Sequence, residues 1–527
     1  MEVPLLVSDF LRRAVEVYPE KEGVVCGGAR FTYAEFGSRV NRLANALAAM
    51  NVAKGDRIAI LSPNCHRFLE AFYGVTAVGA VLVPLNYRLV PSDFTYIVNH
   101  AGASVFLVDE ELVPVADEIR PQLGTVREYV MLGGSTKDGW TSYETMLADA
   151  TDGTPADACV DENDLATINY TSGTTARPKG VMMTHRNLYA NAWNTIGHIR
   201  VSHDDVLIHT LPMFHANGWG TPFSGTGMGV KHVVLRKVDG ADIFRLIQDE
   251  SVTWACMAPA VLSTILNFPD KQNYEITTTP RLVVAGAPPP AAFIKRLRQE
   301  LGWEFIQVYG LTETAPFLTI TILRPDMYSL SIDEQCQIQA RAGVPMVGVD
   351  LRIVDQHDQD VVPDDEQVGE VIARSNVVMK GYWRQPGETG KAIVNGWFHT
   401  GDLATINKEG YINIVDRAKD VIISGGENIS SIEVEDALYK HPAVLECAVI
   451  GVPSEKWGET PKALIVPREG MQPDETEIIG FCKEQMAHFK APTSVELVES
   501  LPRTATGKLQ KYVLRDKYWG GAKRKVN

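Results

Sequence analysis

The sequence has little cysteine. Only seven of its 527 residues are cysteines, they are widely spaced, and no two form a C-x-x-C pair. This pattern argues against a disulfide framework and against a zinc site. It predicts reduced, mostly buried thiols in a cytoplasmic protein.

Positive charge and long apolar runs are also scarce. Lysine and arginine number 50 against 65 acidic residues, which gives a formal net charge of −15. Such a chain is a poor partner for nucleic acid or an anionic membrane. The longest nearly apolar run covers residues 71–85 and includes Gly74 and Gly79, whereas a membrane helix needs about 20 apolar residues. We therefore predict a helix followed by a buried strand there, and no integral membrane segment.

What the sequence does have is an alternation of helical and strand patterns. Hydrophobic residues make up 45% and charged residues 22%, as in ordinary globular proteins. The predicted helices are 34–50, 66–78 and 92–100, and the predicted strands are 57–61, 80–84 and 104–109. Short apolar strands between amphipathic helices predict an α/β fold with mainly parallel sheets flanked by helices.

A change of pattern near residues 411–426 (YINIVDRAKDVIISGG) predicts a domain boundary. Beyond it we predict a helix at 432–440, strands at 444–452 and 462–466, and a helix at 475–486, which together form a small α+β unit. The predicted domains are residues 1–417 and residues 418–527.

Residues 170–181, YTSGTTARPKGV, have the composition of a phosphate-binding loop. Glycine lets backbone N–H groups approach a phosphate, hydroxyls donate further hydrogen bonds, and lysine supplies charge. The NTPase P-loop is excluded, because Lys179 is followed by Gly180 and not by serine or threonine. The predicted phosphate-binding residues are Thr171, Ser172, Gly173, Thr174, Thr175 and Lys179.

This string resembles the signature of the adenylate-forming superfamily, which includes acyl-CoA synthetases, luciferases and nonribosomal peptide adenylation domains. Ala176 departs from it, since relatives usually have glycine there, and we expect a stiffer loop. Further similar strings follow in order: LPMFHANGWG (211–220), AGAPPP (285–290), QVYGLTET (307–314), HTGDL (399–403), DRAKD (416–420) and PRTATGK (502–508).

The resemblance implies a role for each matching residue in adenylate formation. Glu313 would hold Mg²⁺, Thr312 would contact the α-phosphate, and Asp402 and Arg417 would contact the ribose. The residues implied around adenine are Gly286, Ala287, Tyr309 and Gly310, and Gln307 is implied as a further cofactor-binding residue. The implied catalytic residues are Lys508, Glu313, Thr174 and His215, with Lys508 offsetting charge at the α-phosphorus.

For the second half-reaction the resemblance implies a mobile C-terminal domain that rotates about Lys419. Gly425 and Gly426 would then line the channel for coenzyme A. Many relatives carry a lysine beside these glycines that this sequence lacks, and Arg236 and Lys237 are the nearest replacements.

The implied acid pocket is apolar, with His215 as a gate and Trp219 and Phe317 as substrate contacts. Met213, Phe214 and Phe223 add further apolar surface, and the glycines at 218, 220, 225, 227 and 229 would leave space beside the rings. This favours a medium-sized apolar acid, either a medium-chain or a substituted alkanoate, with an aryl acid as runner-up.

The sequence thus predicts an ATP-dependent carboxylate:CoA ligase that uses ATP, Mg²⁺ and coenzyme A. An adenylation enzyme that loads a carrier protein, a luciferase-type oxidase and a noncatalytic acyl-CoA or nucleotide sensor are the alternatives. The sequence does not distinguish a monomer from a homodimer.

Overall fold

The described residues of the chain form four β-sheets with helices packed against them. A computed structural model describes residues 3–171, 177–286, 289–417, 420–424, 427–454, 456–503 and 509–519. The α-helices of this part of the chain are α1 (Ser8–Val17), α2 (Tyr33–Ala49), α3 (His66–Ala77), α4 (Pro91–Ala101), α5 (Val113–Ile119), α6 (Tyr143–Asp149), α7 (His185–Ile199), α8 (Thr221–Met228), α9 (Gly240–Glu250), α10 (Pro259–Asn267), α11 (Ala291–Arg296), α12 (Ile332–Gln339), α13 (Pro386–Ala392), α14 (Ser431–Leu438), α15 (Glu475–Gln485) and α16 (Lys511–Trp519).

The strands of the same described ranges are β1 (Glu22–Cys26), β2 (Ala29–Thr32), β3 (Arg57–Leu61), β4 (Val81–Leu85), β5 (Ala103–Asp109), β6 (Glu128–Leu132), β7 (Thr141–Ser142), β8 (Leu165–Thr171), β9 (Lys179–Thr184), β10 (Val206–His209), β11 (Lys231–Val234), β12 (Trp254–Met257), β13 (Arg281–Val284), β14 (Glu304–Gly310), β15 (Phe317–Ile320), β16 (Val344–Pro345), β17 (Val349–Val354), β18 (Gly369–Ser375), β19 (Gly381–Tyr382), β20 (Ile393–Val394), β21 (Trp397–Ile406), β22 (Ile412–Arg417), β23 (Ile422–Ser424), β24 (Glu427–Ile429), β25 (Val444–Ser454), β26 (Gly458–Pro467) and β27 (Ser494–Leu497).

The first sheet has the strand order β19-β9-β8-β4-β3-β5-β6-β7. Its members from β8 to β7 pair in parallel, whereas β9 is antiparallel to both β8 and β19. Every residue of β4 is buried, as a parallel strand covered on both faces requires. The apolar run at 71–85 is therefore the end of α3 followed by β4, as the sequence predicts.

The second sheet has the order β16-β15-β14-β13-β12-β10-β11-β1-β2. Its central pairs, from β14 to β1, are parallel, and the strands at either edge pair antiparallel. The two large sheets together give the mainly parallel α/β architecture that the alternating pattern predicts.

Two smaller sheets complete the fold. The third joins β17, β18, β21, β20 and β22 in antiparallel pairs. The fourth contains β24, β23, β26 and β25 in antiparallel pairs, with β27 parallel to β26. Helices α14 and α16 pack on β25, which gives the C-terminal part its own apolar core.

The predicted C-terminal strands are longer in the structure. The expected strand at 462–466 lies within β26, and the expected strand at 444–452 lies within β25, because these two strands form one long hairpin. Within the described residues, no helix is long and apolar enough to cross a membrane. The cysteines are all free, and five of the seven are buried, in agreement with the prediction of reduced, mostly buried thiols.

Candidate active site

The phosphate-loop segment lies between two paired strands of the first sheet. Thr171 ends β8, Lys179 begins β9, and the two residues are partners across the strands. Lys179 Nζ lies 2.5 Å from Glu388 Oε2 and 4.9 Å from the centre of the Tyr382 ring. The hydrogen bond from Lys179, together with one from Lys391, lowers the pKa of Glu388 to about 2. Lys179 is thus held by Glu388 and Tyr382 at the loop end of this hairpin.

Glu313 joins the same cluster through Tyr382. The Tyr382 hydroxyl donates to Glu313 Oε1 at 2.9 Å, and the Glu313 carbonyl accepts from the backbone N–H of Met379 at 2.8 Å. Burial, reinforced by the neighbouring Glu313 charge, raises the pKa of Tyr382, so this phenol stays protonated and donates. Thr312 lies in the same short turn, Thr312–Thr314.

Asp402 forms a second cluster at the end of the β21–β22 pair that lies away from the connecting turn. It is the cross-strand partner of Arg417, whose Nε lies 3.2 Å from Asp402 Oδ1. The Tyr309 hydroxyl donates to Asp402 Oδ2 at 2.8 Å, and the Asp402 N–H donates to Thr400 Oγ1 at 3.1 Å. Burial and the adjacent Asp402 charge raise the pKa of Tyr309. The predicted ribose residues are therefore brought together with a predicted adenine residue.

Gln307, a predicted cofactor-binding residue, carries a buried acceptor to which no described residue donates a hydrogen bond. Gln307 is 3% exposed, and its side-chain oxygen has no hydrogen-bond partner within the described residues. A buried amide oxygen without a hydrogen-bond donor costs free energy, and an exocyclic amine of a bound base would supply the missing donor. Gly310 is required for close packing at this place, since a Cβ there would lie 1.7 Å from the Pro316 carbonyl oxygen. Gly286 follows the end of β13 at positive φ, 99°.

The predicted acid-contact residues come from a turn and a strand that meet. The Trp219 and Phe317 rings pack edge to face with centres 5.6 Å apart. Asn191 on α7 connects them, because its amide donates to the Trp219 carbonyl at 3.1 Å and its oxygen accepts from the Phe317 N–H at 3.4 Å. His215 is half-buried at the start of the same turn.

Two expectations about the acid pocket need correction. Phe223 packs edge-on against Phe72 and Tyr73 of α3, so this ring is part of the hydrophobic core. The glycines of α8 do not leave open space, because other side chains occupy it. A Cβ at Gly225 would lie 2.8 Å from His232, and one at Gly227 would lie 2.5 Å from Phe10.

A cavity of about 830 Å³ contains the two cations predicted as contacts for coenzyme A. Arg236 is already paired, since its guanidinium donates to both carboxylate oxygens of Asp109, at 3.0 and 2.7 Å. Lys237 lines the same cavity, as do Tyr87 and Arg88.

Several predicted site residues lie outside the described part of the chain. They are Ser172, Gly173, Thr174 and Thr175 of the phosphate loop, Ala287, the hinge residue Lys419, Gly425, Gly426 and the catalytic candidate Lys508. Among the described residues, the sequence did not point to Tyr382, Glu388 or Asn191. Tyr382 reaches the site through an edge strand that pairs with β9, and no local sequence signal predicts this pairing.

The residues present fit one Mg²⁺ ion bound together with nucleotide phosphates. Within the described ranges no group of three or more histidine, cysteine or acidic residues forms a complete metal cage. Mg²⁺ is commonly held by one or two carboxylates plus substrate phosphates. Glu313, close to Lys179 through Tyr382, matches that arrangement.

Comparisons with known proteins agree with this geometry. Residues 11–383 match the family model for AMP-binding enzymes, and residues 433–508 match the model for the AMP-binding enzyme C-terminal domain. A 4-hydroxybutyrate–CoA ligase of Metallosphaera sedula is 39% identical over 99% of this chain and 95% of its own length. An acetate/butyrate–CoA ligase of Arabidopsis thaliana, described as peroxisomal, is 36% identical over 96% and 93%.

A crystal structure of an anthranilate–CoA ligase with anthranoyl-AMP superposes with a TM-score of 0.89, at 26% identity, over 98% of both chains. The fold is that of the adenylate-forming enzymes, with a large α/β part and a smaller C-terminal part. The chain belongs to the AMP-binding enzyme family. Its class is AMP-forming acyl-CoA ligase, and enzymes of this class use ATP, Mg²⁺ and coenzyme A.

Proposed function

We propose that this ligase activates a short to medium-sized apolar carboxylic acid, either a medium-chain or a substituted alkanoate. The contact between Trp219 and Phe317 carries the proposal. These two large rings meet edge to face at the predicted acid site, and both are almost fully buried. Such a wall favours a compact apolar chain over a long one. The 4-hydroxybutyrate and acetate/butyrate ligases among its relatives support the same size range.

In the first half-reaction an oxygen of the acid carboxylate attacks the α-phosphorus of ATP, and pyrophosphate leaves. Catalysis of phosphoryl-type transfer depends mainly on positioning and on stabilisation of charge. Lys179 supplies positive charge at the end of the hairpin, and Glu313, oriented by Tyr382, is the proposed carboxylate for the metal. When bound, Mg²⁺ supplies charge neutralisation at the phosphates.

The nucleoside would be held by the second cluster. Asp402 would accept hydrogen bonds from the ribose hydroxyls while Tyr309 and Arg417 keep its carboxylate in place. The Gln307 side-chain oxygen would accept from the adenine amine, which would satisfy its missing bond. Thr312 would contact the α-phosphate.

In the second half-reaction the sulfur of coenzyme A attacks the acyl carbonyl carbon, and AMP leaves. We propose that residues 418–527 form the domain that rotates about Lys419 between the two steps, which brings Gly425 and Gly426 to the site in place of Lys508. A domain movement of this kind would act as a gate. Lys237, which lines the large cavity, is the better candidate for a phosphate of coenzyme A, because Arg236 is paired with Asp109.

An aryl acid is the second candidate. The similar anthranilate–CoA ligase binds anthranoyl-AMP, and aromatic walls such as Trp219 and Phe317 suit a flat ring as well as an alkyl chain. The packing beside Gly225 and Gly227 disfavours an aryl acid, because His232 and Phe10 occupy the space that an aromatic ring would need there.

The test is pyrophosphate release with ATP and Mg²⁺ across acetate, butyrate, hexanoate, 2-methylpropanoate, benzoate and palmitate, each with and without coenzyme A. We expect repeated turnover only with coenzyme A and the highest kcat/KM for the four- to six-carbon acids. Preference for benzoate would select the second candidate, and activity with palmitate alone would contradict both. Pyrophosphate release that does not depend on coenzyme A would indicate another acceptor, such as a carrier protein.

We also propose a cytoplasmic location on the basis of the free cysteines. Several relatives are described as peroxisomal, so fractionation of cells that produce the untagged protein is the test. Recovery with an organelle fraction would contradict the proposal.

A further inference from the structure

The turn that carries Trp219 has an unusual backbone. Residues 216–220 all have positive φ, between 43° and 75°. Asparagine tolerates the left-handed conformation, but it is unfavourable for Ala216 and Trp219, most of all for the bulky aromatic. A conformation of this kind persists only where surrounding contacts impose it.

The side chain of Asn217 supplies one such contact through a closed ring of hydrogen bonds. Asn217 Nδ2 donates to Thr167 Oγ1 at 2.9 Å, and Thr167 Oγ1 donates to Asn169 Oδ1 at 2.8 Å. Asn169 Nδ2 then donates to Asn217 Oδ1 at 3.0 Å. All three residues are at most 1% exposed. Each side chain therefore donates once and accepts once within the core, and buried networks satisfied in this way are rigid.

The ring connects the acid side of the site with the phosphate side. Thr167 and Asn169 lie two residues apart on β8, so they face the same side of the strand. β8 ends at Thr171, immediately before residues 172–176 of the phosphate loop. Asn217 lies between His215 and Trp219 in the turn. The ring thus fixes the acid-contact turn to the strand that leads into the phosphate loop.

We propose that Thr167, Asn169 and Asn217 are positioning residues that set which acids are adenylated. This inference rests on the proposed function. The acid carboxylate must meet the α-phosphorus while its chain lies against Trp219, so the distance between turn and strand decides which acids place both ends correctly. Small errors of position have large effects on such reactions.

The main test compares Thr167→Val, which breaks the ring, with Thr167→Ser, which keeps the hydroxyl. Thr76→Val is the matched control, because Thr76 has a buried hydroxyl within α3, away from the site. For each protein, kcat/KM is measured for butyrate, hexanoate and benzoate, together with KM for ATP and the melting temperature.

We expect Thr167→Val to change the ratio of kcat/KM between two acids by roughly tenfold or more, with KM for ATP within about threefold of the parent. Thr167→Ser should restore the parental ratio. An unchanged ratio in Thr167→Val, or a loss shared equally by all acids and ATP, would overturn the inference. A ratio that also changes in Thr76→Val would overturn it as well.

Asn217→Gly is the second variant and covers the case in which Thr167→Val does not fold. Glycine adopts the left-handed conformation freely, so this change removes the amide without adding backbone strain. The same shift in acid preference is expected, and parental preference would contradict the inference. The proposed function fails in a different way, since the parent protein itself would then release no pyrophosphate with these acids.

Discussion

The link between Tyr382 and Glu313 gives the sharpest test of the metal site. Tyr382→Phe removes the hydroxyl that donates to Glu313 Oε1 at 2.9 Å. The ring remains, and with it the contact to Lys179, whose Nζ lies 4.9 Å from the ring centre. The change therefore removes one hydrogen bond to the carboxylate and leaves the surrounding packing in place.

The size of the effect follows from the burial of this bond. A hydrogen bond to a charged group contributes about 1.5–3 kcal/mol, and the lower part of that range suits a carboxylate that is only partly buried. A loss of about 1.5–2 kcal/mol corresponds to a rise of roughly 10- to 30-fold in the Mg²⁺ concentration for half-maximal activity.

The assay is a Mg²⁺ titration of pyrophosphate release at fixed ATP and acid. Tyr309→Phe is the matched control, because it removes a comparable hydroxyl from Asp402 in the other cluster. We expect the control to raise KM for ATP and leave the Mg²⁺ dependence unchanged. If Tyr382→Phe keeps the parental Mg²⁺ dependence, or if only Tyr309→Phe alters it, Glu313 is not the metal carboxylate.

Three further predictions concern a buried histidine, a buried ion pair and the proposed catalytic lysine, Lys508. Burial lowers the pKa of His185 to about 4. The contribution of the neutral ring to the free energy of unfolding is therefore complete above pH 6.5 and is lost as the pH falls toward 4. That contribution changes by about 2 kcal/mol between pH 8 and pH 5. Urea unfolding of His185→Asn should show a smaller change between these two pH values, and an identical change would contradict the reasoning. Lys511 Nζ lies 2.9 Å from Glu435 Oε1, with both side chains largely buried, so Lys511→Met should cost about 3 kcal/mol because it leaves a carboxylate unpaired. The double change Lys511→Met with Glu435→Gln should recover most of this loss, and no recovery would refute the pairing. Lys508→Ala should abolish adenylate formation while thioester formation from supplied acyl-AMP continues, and equal loss of both steps would contradict its role.

The fold was largely predictable because its signals are local. Buried parallel strands such as β4 are short apolar runs, and helices such as α2 combine helical spacing with a capping box at Thr32 and Glu35. Glu313 and Asp402 stay predictions, and each was selected for a similar reason, because it lies in a contiguous motif.

The parts that were missed depend on contacts between distant segments. Tyr382 approaches Glu313 because β19 pairs with β9, about 200 residues away in the chain. The glycines of α8 were interpreted as open space, yet their space is taken by His232 and Phe10. A sequence shows that a residue is small, but it does not show which neighbour fills the space beside it.

The pairing of Asp402 with Arg417 would couple nucleotide binding to the position of the C-terminal domain. Arg417 is the last residue of β22, directly before the proposed pivot at residues 418–419. Rotation of the C-terminal domain would therefore act on Arg417, which is paired with Asp402, the carboxylate proposed to bind the ribose. Thermodynamic linkage works in both directions, so a nucleotide that binds one domain orientation more tightly must favour that orientation by the same factor. Exchange of ATP for AMP would then bias the domain toward its next position.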